Sequence, residues 1–428
     1  MTMNNKNRRQ FLATSGVLAT TPYFFTNVDL FAQENKSKND KLNVGNIGVG
    51  GRGTAIARQS LKLGNPIACC DVDKNRAAAF SKNSGNNCAI YHDYRELLDR
   101  DDIDVVTIGT PDHWHVKIAI EALRAGKDVY CEKPLTLTIE EGILVGKVVK
   151  ETGKVFQVGT QQRSEYGGHF LNAVAICQLG WIGDDLNALS SVGTARKGGP
   201  FTPSKSPDHL DWNMWLGPAP ETPYITERTH YQFRWWLEYS GGQVTDWGVH
   251  HTDIAMWALG LQNTGPTTIE GTGAFDKREN CYNVAHTFDT LMTFKNGSTI
   301  NLTSGKNELI LSGSKGKIRV NRGGITGQIV DQIKDNKQMQ EILADKVQEI
   351  YRGPVTPHMV NFFNCVKSRK LPISDVFTHH RSVSVCHLAN ISMLLNRKLT
   401  WDPNKQDFVG DQEASKMISR EKRTGFEI

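Results

Sequence analysis

From residue 44 to about residue 160 the apolar positions come in short runs, separated by longer stretches with helical spacing. Val44–Val49, Ile67–Asp71, Val105–Ile108, Asp128–Cys131 and Val155–Val158 read as strands buried on both faces. Residues 54–63, a stretch starting at Asn75–Ser81, His115–Ala125 and Thr138–Thr152 read as the helices between them, the last two closed by Gly126 and Gly153. Tyr94–Leu98 is a further short periodic piece. Such alternation predicts a parallel sheet covered by helices on both sides. Right-handed crossovers then carry the carboxyl ends of the strands to one edge. That edge collects Gly48, Asp71, Thr110, Glu132 and Gln161, where sheets of this kind bind ligands.

After Gly159 the pattern changes. Residues 160–265 are rich in Trp, Tyr, Gly and Pro, with one helix over Phe170–Leu179 and another over Thr245–Leu259. Asp246 is placed to cap the second and Gly260 to end it. Residues 267–320 alternate as antiparallel strands do, with Asn296-Gly297 as one hairpin turn and Ser314–Gly316 as another. One face of that sheet has to be covered by helices or by another subunit. Residues 328–350, Thr356–Ser368 and Thr378–Leu395 read as helices, and the tail from Asp402 is polar, its last dozen residues extended or disordered. The chain divides into 1–40, 41–160, 161–400 and a tail at 401–428.

The first 40 residues stand apart. Asn7-Arg8-Arg9-Gln10-Phe11-Leu12 resembles the twin-arginine signal of bacterial export, followed by an apolar region to Phe25 and a polar linker. The apolar region is short for a transmembrane span, and an uncleaved signal would act as an anchor instead. Export places the protein in the periplasm or beyond. A formal charge of +5 over 428 residues, without a long basic tract, argues against a nucleic-acid partner. Eight scattered cysteines form no C-x-x-C pair and read as small buried hydrophobes, with a disulfide left open.

Gly48, Gly50 and Gly53 have the G-x-G-x-x-G spacing of a dinucleotide site, between a strand and a helix. The first permits the turn, the second lets the backbone approach a pyrophosphate, and the third lets helix and strand pack closely. Gly51 and Arg52 complete the turn, and the phosphates would meet the free N–H groups at the helix start. Asp71 follows Gly48 by 23 residues, the place of a carboxylate that accepts from ribose hydroxyls. It favours NAD; Arg52 and Arg76 keep NADP as the alternative.

Four spots carry candidate chemistry. Thr110-Pro111, with Trp114 and His115 just beyond, follows the third of the predicted strands, where its backbone can hold a nucleotide ribose. Glu132-Lys133-Pro134 follows the next, and a lysine there can donate to a hydroxyl or carbonyl oxygen and serve as acid or base. Asp246 and His250 are one helical turn apart, one to polarise a hydroxyl and the other to move its proton. The same pair with Asp253 or His113 could ligate zinc, but no metal is required and none is assigned. Trp212, Trp215, Trp235 and Trp236 offer aromatic faces that match sugar rings, and Gln161, Arg163 and Arg234 can bind hydroxyls or a carboxylate.

Together the glycine motif, Thr110-Pro111, Glu132-Lys133-Pro134 and Asp246-x-x-x-His250 resemble the Gfo/Idh/MocA oxidoreductase family over about residues 44–400. The resemblance implies an α/β fold: an N-terminal Rossmann domain plus an α+β domain with a large, open, mostly antiparallel sheet. It implies a homodimer or homotetramer, and hydride transfer between NAD(P) and a ring hydroxyl of a sugar, glycoside or cyclitol. Lys133, Asp246 and His250 match the family's catalytic residues, and Asp71 its NAD-selecting acid. Trp114, Arg163, Arg234, Trp235 and His251 are the expected substrate contacts; the His-His pair at 250–251 and the Trp-Trp pair at 235–236 resemble exported bacterial members. Some relatives cleave glycosides through a transient 3-keto sugar, without net turnover of NAD. An exported enzyme, lacking a soluble NAD pool, suits such a closed cycle with a tightly held cofactor. Tyr166, Tyr231 and Tyr239 are the candidate bases for that elimination. A sugar-binding protein that keeps the Rossmann core for packing is the non-catalytic alternative.

Overall fold

The computed structural model describes residues 41–85 and 88–428, so the export signal expected within 1–40 lies outside the described residues. The first half winds as β1 (Asn43–Ile47), α1 (Gly51–Ser60), β2 (Asn65–Cys70), α2 (Lys74–Asn83), β3 (Ala89–Tyr91), α3 (Tyr94–Leu98), β4 (Val105–Ile108), α4 (Asp112–Arg124), β5 (Asp128–Cys131), α5 (Ile139–Thr152) and β6 (Phe156–Val158). The strands are parallel in the order β3-β2-β1-β4-β5-β6, the doubly wound order with its switch point between β1 and β4. Local chemistry sets the ends. Thr138 and Glu141 form a reciprocal capping box on α5, and Gly153 closes that helix at a φ of +62°.

The second half contains α6 (His169–Gln178), β7 (Asn187–Val192), α7 (Trp212–Leu216), α8 (Gln243–Asp246) and α9 (Gly248–Ala258). It continues with β8 (Thr268–Ala274), β9 (Thr287–Thr293), β10 (Thr299–Ser304), β11 (Glu308–Gly313), β12 (Gly316–Asn321) and β13 (Gly324–Thr326). Helices α10 (Gln328–Lys334), α11 (Lys337–Tyr351), α12 (His358–Ser368) and α13 (Val376–Leu395) follow, then β14 (Leu399–Asp402), β15 (Asp407–Phe408) and α14 (Gln412–Lys416). Nine strands form one mixed sheet in the order β13-β12-β11-β7-β10-β9-β8-β14-β15, antiparallel except where β7 meets β10. Both expected hairpins are present, with Gly297 at a φ of +87° in the first. In β9, Phe288, Thr290 and Met292 are buried, whereas Thr287, Asp289 and Leu291 face outward. Helices α6, α9 and α13 cover the buried face, through Val174, Ile254 and Val385 among others.

Two features differ from the linear reading. Helix α12 docks Met359, Phe362 and Phe363 onto Val44, Ile56, Val105 and Tyr130, so a late helix completes the first sheet's cover. The tail is not loose: Phe426 packs edge-on against Trp114, Arg423 donates to the Gly217 carbonyl, and Lys117 donates to the Glu427 carbonyl. All eight cysteines are buried free thiols. No helix among the described residues is long and apolar enough to cross a membrane.

Candidate active site

At the end of β1, Gly48 turns the chain with a φ of +73° and donates its N–H to the Cys70 carbonyl at 2.8 Å. A Cβ on Gly48 would lie 2.7 Å from the Thr110 nitrogen, and one on Gly53 1.7 Å from the Gly48 carbonyl oxygen. Only a hydrogen fits at either place. At Gly51 a Cβ would meet nothing within 4 Å, so the first turn of α1 faces open space. The Arg76 guanidinium arches over Gly50. Asp71 accepts from the Val49 N–H and from the Asp73 N–H, each at 3.0 Å. Loss of solvent raises its carboxyl to about 6, against those donors and the nearby Arg76.

A loop from the second half roofs this end. Lys74 donates its N–H to the His209 carbonyl at 2.9 Å, and Asp211 donates to the Val72 carbonyl at 3.1 Å. Below it the Asp73 carboxylate faces His209 Nδ1 at 3.2 Å and His230 Nε2 at 3.4 Å.

Along the sheet edge, His115 ties two loops together. Its Nε2 meets the Thr110 carbonyl at 2.9 Å and its Nδ1 the Pro134 carbonyl at 2.8 Å. Glu132 Oε1 accepts from Arg52 Nε and from Gln161 Nε2, both at 2.9 Å. That network fixes the turn after β5 against the start of α1 and the turn after β6.

From this edge a cleft of 680 Å³ runs between the two sheets' loops. Lys133 Nζ donates to Asp246 Oδ1 at 2.5 Å and to the Asp246 carbonyl at 3.1 Å. Arg234 Nη1 donates to Asp246 Oδ2 at 2.6 Å. Burial works against the charge on Asp246, but Lys133 and then Arg234 outweigh it and hold the carboxyl below its ordinary range. The expected single helix is broken at Trp247, so Asp246 closes α8 instead of capping α9. Its two oxygens are taken by cations, and it makes no pairing with His250. His250 lines the same cleft, accepting at Nε2 from Arg322 Nη2 at 3.2 Å, while its buried Nδ1 has no partner. Burial, then the charges of Lys133 and Arg322, push its pKa well below the ordinary value, so the ring is neutral. At the start of α4, Asp112 accepts from the Ser240 hydroxyl at 2.6 Å. Burial raises its carboxyl to about 7 despite that bond, and the charge on Asp246 adds to the rise.

Residues 42–160 match an oxidoreductase family's NAD-binding Rossmann fold, and residues 197–428 match its C-terminal alpha/beta domain. The chain belongs to the Gfo/Idh/MocA oxidoreductase family. A glycosyl hydrolase family 109 protein of Shewanella sp. (strain W3-18-1) is 33% identical over 210 residues. That match spans 43% of this chain and only 45% of the relative's length. Among solved structures, the WlbA dehydrogenase of Bordetella pertussis in complex with NADH and UDP-GlcNAcA superposes with a TM-score of 0.64 at 17% identity, covering 86% of this chain and 99% of that one. A levoglucosan dehydrogenase in complex with NADH and L-sorbose gives 0.62 at 20% identity, covering 84% and 99%.

This member of the family has an NAD-binding Rossmann domain, and its residues fit the nucleotide. The Gly48–Gly53 turn leaves backbone N–H groups and open space at the start of α1, the Asp71 carboxylate lines the adjoining wall, and Thr110 Oγ1 is buried there without a partner. Gly48, Gly50, Gly51, Arg52, Asp71, Thr110, Pro111, His115, Glu132 and Gln161 all line the cleft; Gly53 serves by letting α1 approach. Lys133, Asp246, His250, Trp114 and Arg234 line it as well.

Three expected substrate contacts lie elsewhere. Arg163 is buried in a two-pronged pair with Asp253, 2.7 Å at each prong, and stacks on Trp257. His251 is buried against Phe170, and its Nε2 donates to Asn307 Oδ1 at 2.6 Å. Trp235 is buried in an aromatic cluster with its N–H on Gln232. A buried cation needs a carboxylate and a buried indole N–H an acceptor, and here the fold supplies both internally. Of the three tyrosines, Tyr166 and Tyr231 reach the cleft, while Tyr239 is in the core with its hydroxyl on Thr222 and Arg228. Among the described residues no group of three His, Cys, Asp or Glu is placed to hold a metal. Asp112, His230, Ser240 and Arg322 were not expected at the cleft; only the Asp112 position, two residues after Thr110, carried a signal.

Proposed function

We propose that this chain transfers hydride to or from a ring hydroxyl carbon of a sugar, glycoside or cyclitol. Bound NAD would supply the hydride acceptor, which can also return the hydride. The reading rests on one observation: an ammonium held by a carboxylate, Lys133 on Asp246, shares the end of the nucleotide cleft with the neutral imidazole of His250. Lys133 has N–H donors to set against an oxygen that gains negative charge as its proton leaves. His250 is neutral and can take that proton. Asp246 orients the amine and balances Arg234. The two sugar-bound neighbours support a ring-shaped substrate, as does a cleft within the usual size of ligand sites. Replacing Lys133 by Ala should lower turnover by about 10²–10⁴-fold with the fold intact; near-normal turnover would refute the assignment.

The roof over the Asp71 end favours a cofactor that stays bound through many cycles. Purified protein should then retain NAD through gel filtration, and a preparation that loses it at once would count against this reading. A second reading, glycoside cleavage by oxidation and elimination, is favoured by Tyr166, whose ring lies in the cleft with the Arg322 guanidinium 4.5 Å from its centre. The name of the family 109 relative points the same way. Release of an aglycone without net formation of NADH would select it; NADH accumulation with the glycosidic bond intact would exclude it. We further propose export through the twin-arginine motif at Arg8-Arg9 and assembly as a dimer or tetramer, to be checked with an export reporter and by light scattering.

A further inference from the structure

The turn between β12 and β13 sends Arg322 into the cleft. Its guanidinium lies 4.3 Å from the centre of the Trp247 ring and 4.5 Å from that of Tyr166. Two aromatic faces therefore hold the fork in place. Among the described residues no carboxylate lies within ion-pair distance of it, and its Nε is buried without an acceptor. One N–H reaches only His250 Nε2. The neighbouring cations are better served. Arg52 has Glu132, and Lys133 and Arg234 share Asp246. Beyond the nucleotide turn the cleft thus carries three cations, Lys133, Arg234 and Arg322, against one paired carboxylate, Asp246. Asp112, a further acid facing this cluster, has its carboxyl raised by burial to about 7, so near neutral pH it carries only part of a negative charge.

We propose that Arg322 anchors a carboxylate of the substrate, so that the sugar is an acidic one of the uronate class. The carboxylate answers the unpaired Nε–H and an Nη–H as a two-pronged acceptor. It also releases His250. In the substrate-free site an arginine N–H occupies the lone pair of Nε2, the atom that must take the hydroxyl proton. A carboxylate that takes over this N–H clears Nε2 while the guanidinium stays between its rings, so recognition of the acid and readiness of the base are linked. The proposal rests on the hydride-transfer reading above, but it concerns a different contact.

The test compares D-glucuronate with D-glucose, and D-galacturonate with D-galactose, on the NAD-loaded full chain. Both kinetics and calorimetric binding are read. A charge-assisted pair of bonds should favour each acid over its neutral partner by roughly 10- to 100-fold in kcat/KM and in affinity. In Arg322→Gln the acid-to-neutral ratio should fall to about threefold or less, whatever the absolute rates, and Arg322→Lys should recover part of it. Acid preference in wild-type binding should also weaken as salt rises. Equal handling of acid and neutral sugars by the wild type overturns the proposal while leaving hydride transfer standing. Loss of NAD binding in Arg322→Gln with the sugar ratio unchanged overturns it too, assigning the arginine to the nucleotide phosphates. Tight, Arg322-dependent binding of uronates without any turnover upholds the anchor and instead refutes the hydride-transfer reading.

Discussion

Asp246→Asn removes the one negative charge shared by Lys133 and Arg234. The Lys133 and Asp246 side chains are only 14% and 9% exposed and Arg234 is 18% exposed, so solvent screens the loss little. Breaking such a pair from one side costs about 3–5 kcal/mol. Here part of the loss is recoverable. The charge on Asp246 helps keep Asp112 protonated, and without it Asp112, already near 7, ionises more readily and returns a negative charge to the cluster. The expected loss is therefore at the lower end, about 3 kcal/mol. At about 2 °C per kcal/mol for a large chain, that is a fall of about 6 °C in Tm. In an Asp112→Asn background the relief is gone, and the same substitution should cost about 1–2 kcal/mol more. Turnover should fall by about 10²–10⁴-fold, because Lys133 loses its tether. Scanning calorimetry on the two single variants, the double variant and the wild type, all loaded with NAD, measures both stability losses, and a steady-state assay measures the turnover. A single variant that melts within about 1 °C of the wild type, or additive effects in the double variant, would refute the shared-charge account.

Asp71 has to be ionised to accept two ribose hydroxyls, and its carboxyl is at about 6. Affinity for NAD should therefore hold above that value and weaken as the pH falls through it, by up to about tenfold per pH unit; titration calorimetry should show this slope vanish in Asp71→Asn. Gly53→Ala drives a Cβ to 1.7 Å from the Gly48 carbonyl oxygen, whereas Gly51→Ala meets nothing within 4 Å. The first should cost about 3 kcal/mol or more together with NAD binding, the second under about 1 kcal/mol in stability, both read by thermal unfolding with and without nucleotide. Burial holds His113, His251 and His358 near 4 and His379 and His387 near 3. Their folded pKa values lie below the ordinary 6.5, so the unfolded chain binds protons that the folded chain refuses. Stability should fall as pH drops from 6.5 towards 4, by roughly 1.4 kcal/mol per unit for each fully buried histidine. A Tm that stays flat from about pH 7 to about pH 5 would contradict this.

The parallel sheet, its glycine turn and Asp71 were legible because they depend on near neighbours in the chain. Strand runs such as Val105–Ile108 are buried on both faces, and steric space at Gly48 and Gly53 is limited by the adjoining turn. The Asn296-Gly297 hairpin is of the same kind. Strand β3 escaped notice because it is a three-residue edge strand with outward side chains. Strand β7 escaped because Asn-Ala-Leu-Ser-Ser-Val has a weak apolar pattern, although it lies in the middle of the second sheet; β10 and β11 supply its backbone partners from more than 100 residues away in sequence.

The candidate site divides along the same line. Lys133 at the end of β5 and Asp246 beside it in space belong to two motifs visible in the linear chain, and both reach the cleft. Which charge meets which was decided only by the tertiary structure. Arg163 found Asp253 inside a core, Asp246 turned to Lys133 and Arg234 instead of to His250, and Arg322, in an Asn-Arg-Gly-Gly turn with the look of a solvent loop, came to rest between two aromatic rings. Periodicity and backbone sterics act over a few residues, so they are written locally. Charge pairing and desolvation act across space between segments far apart in the chain, so the fold alone determines them.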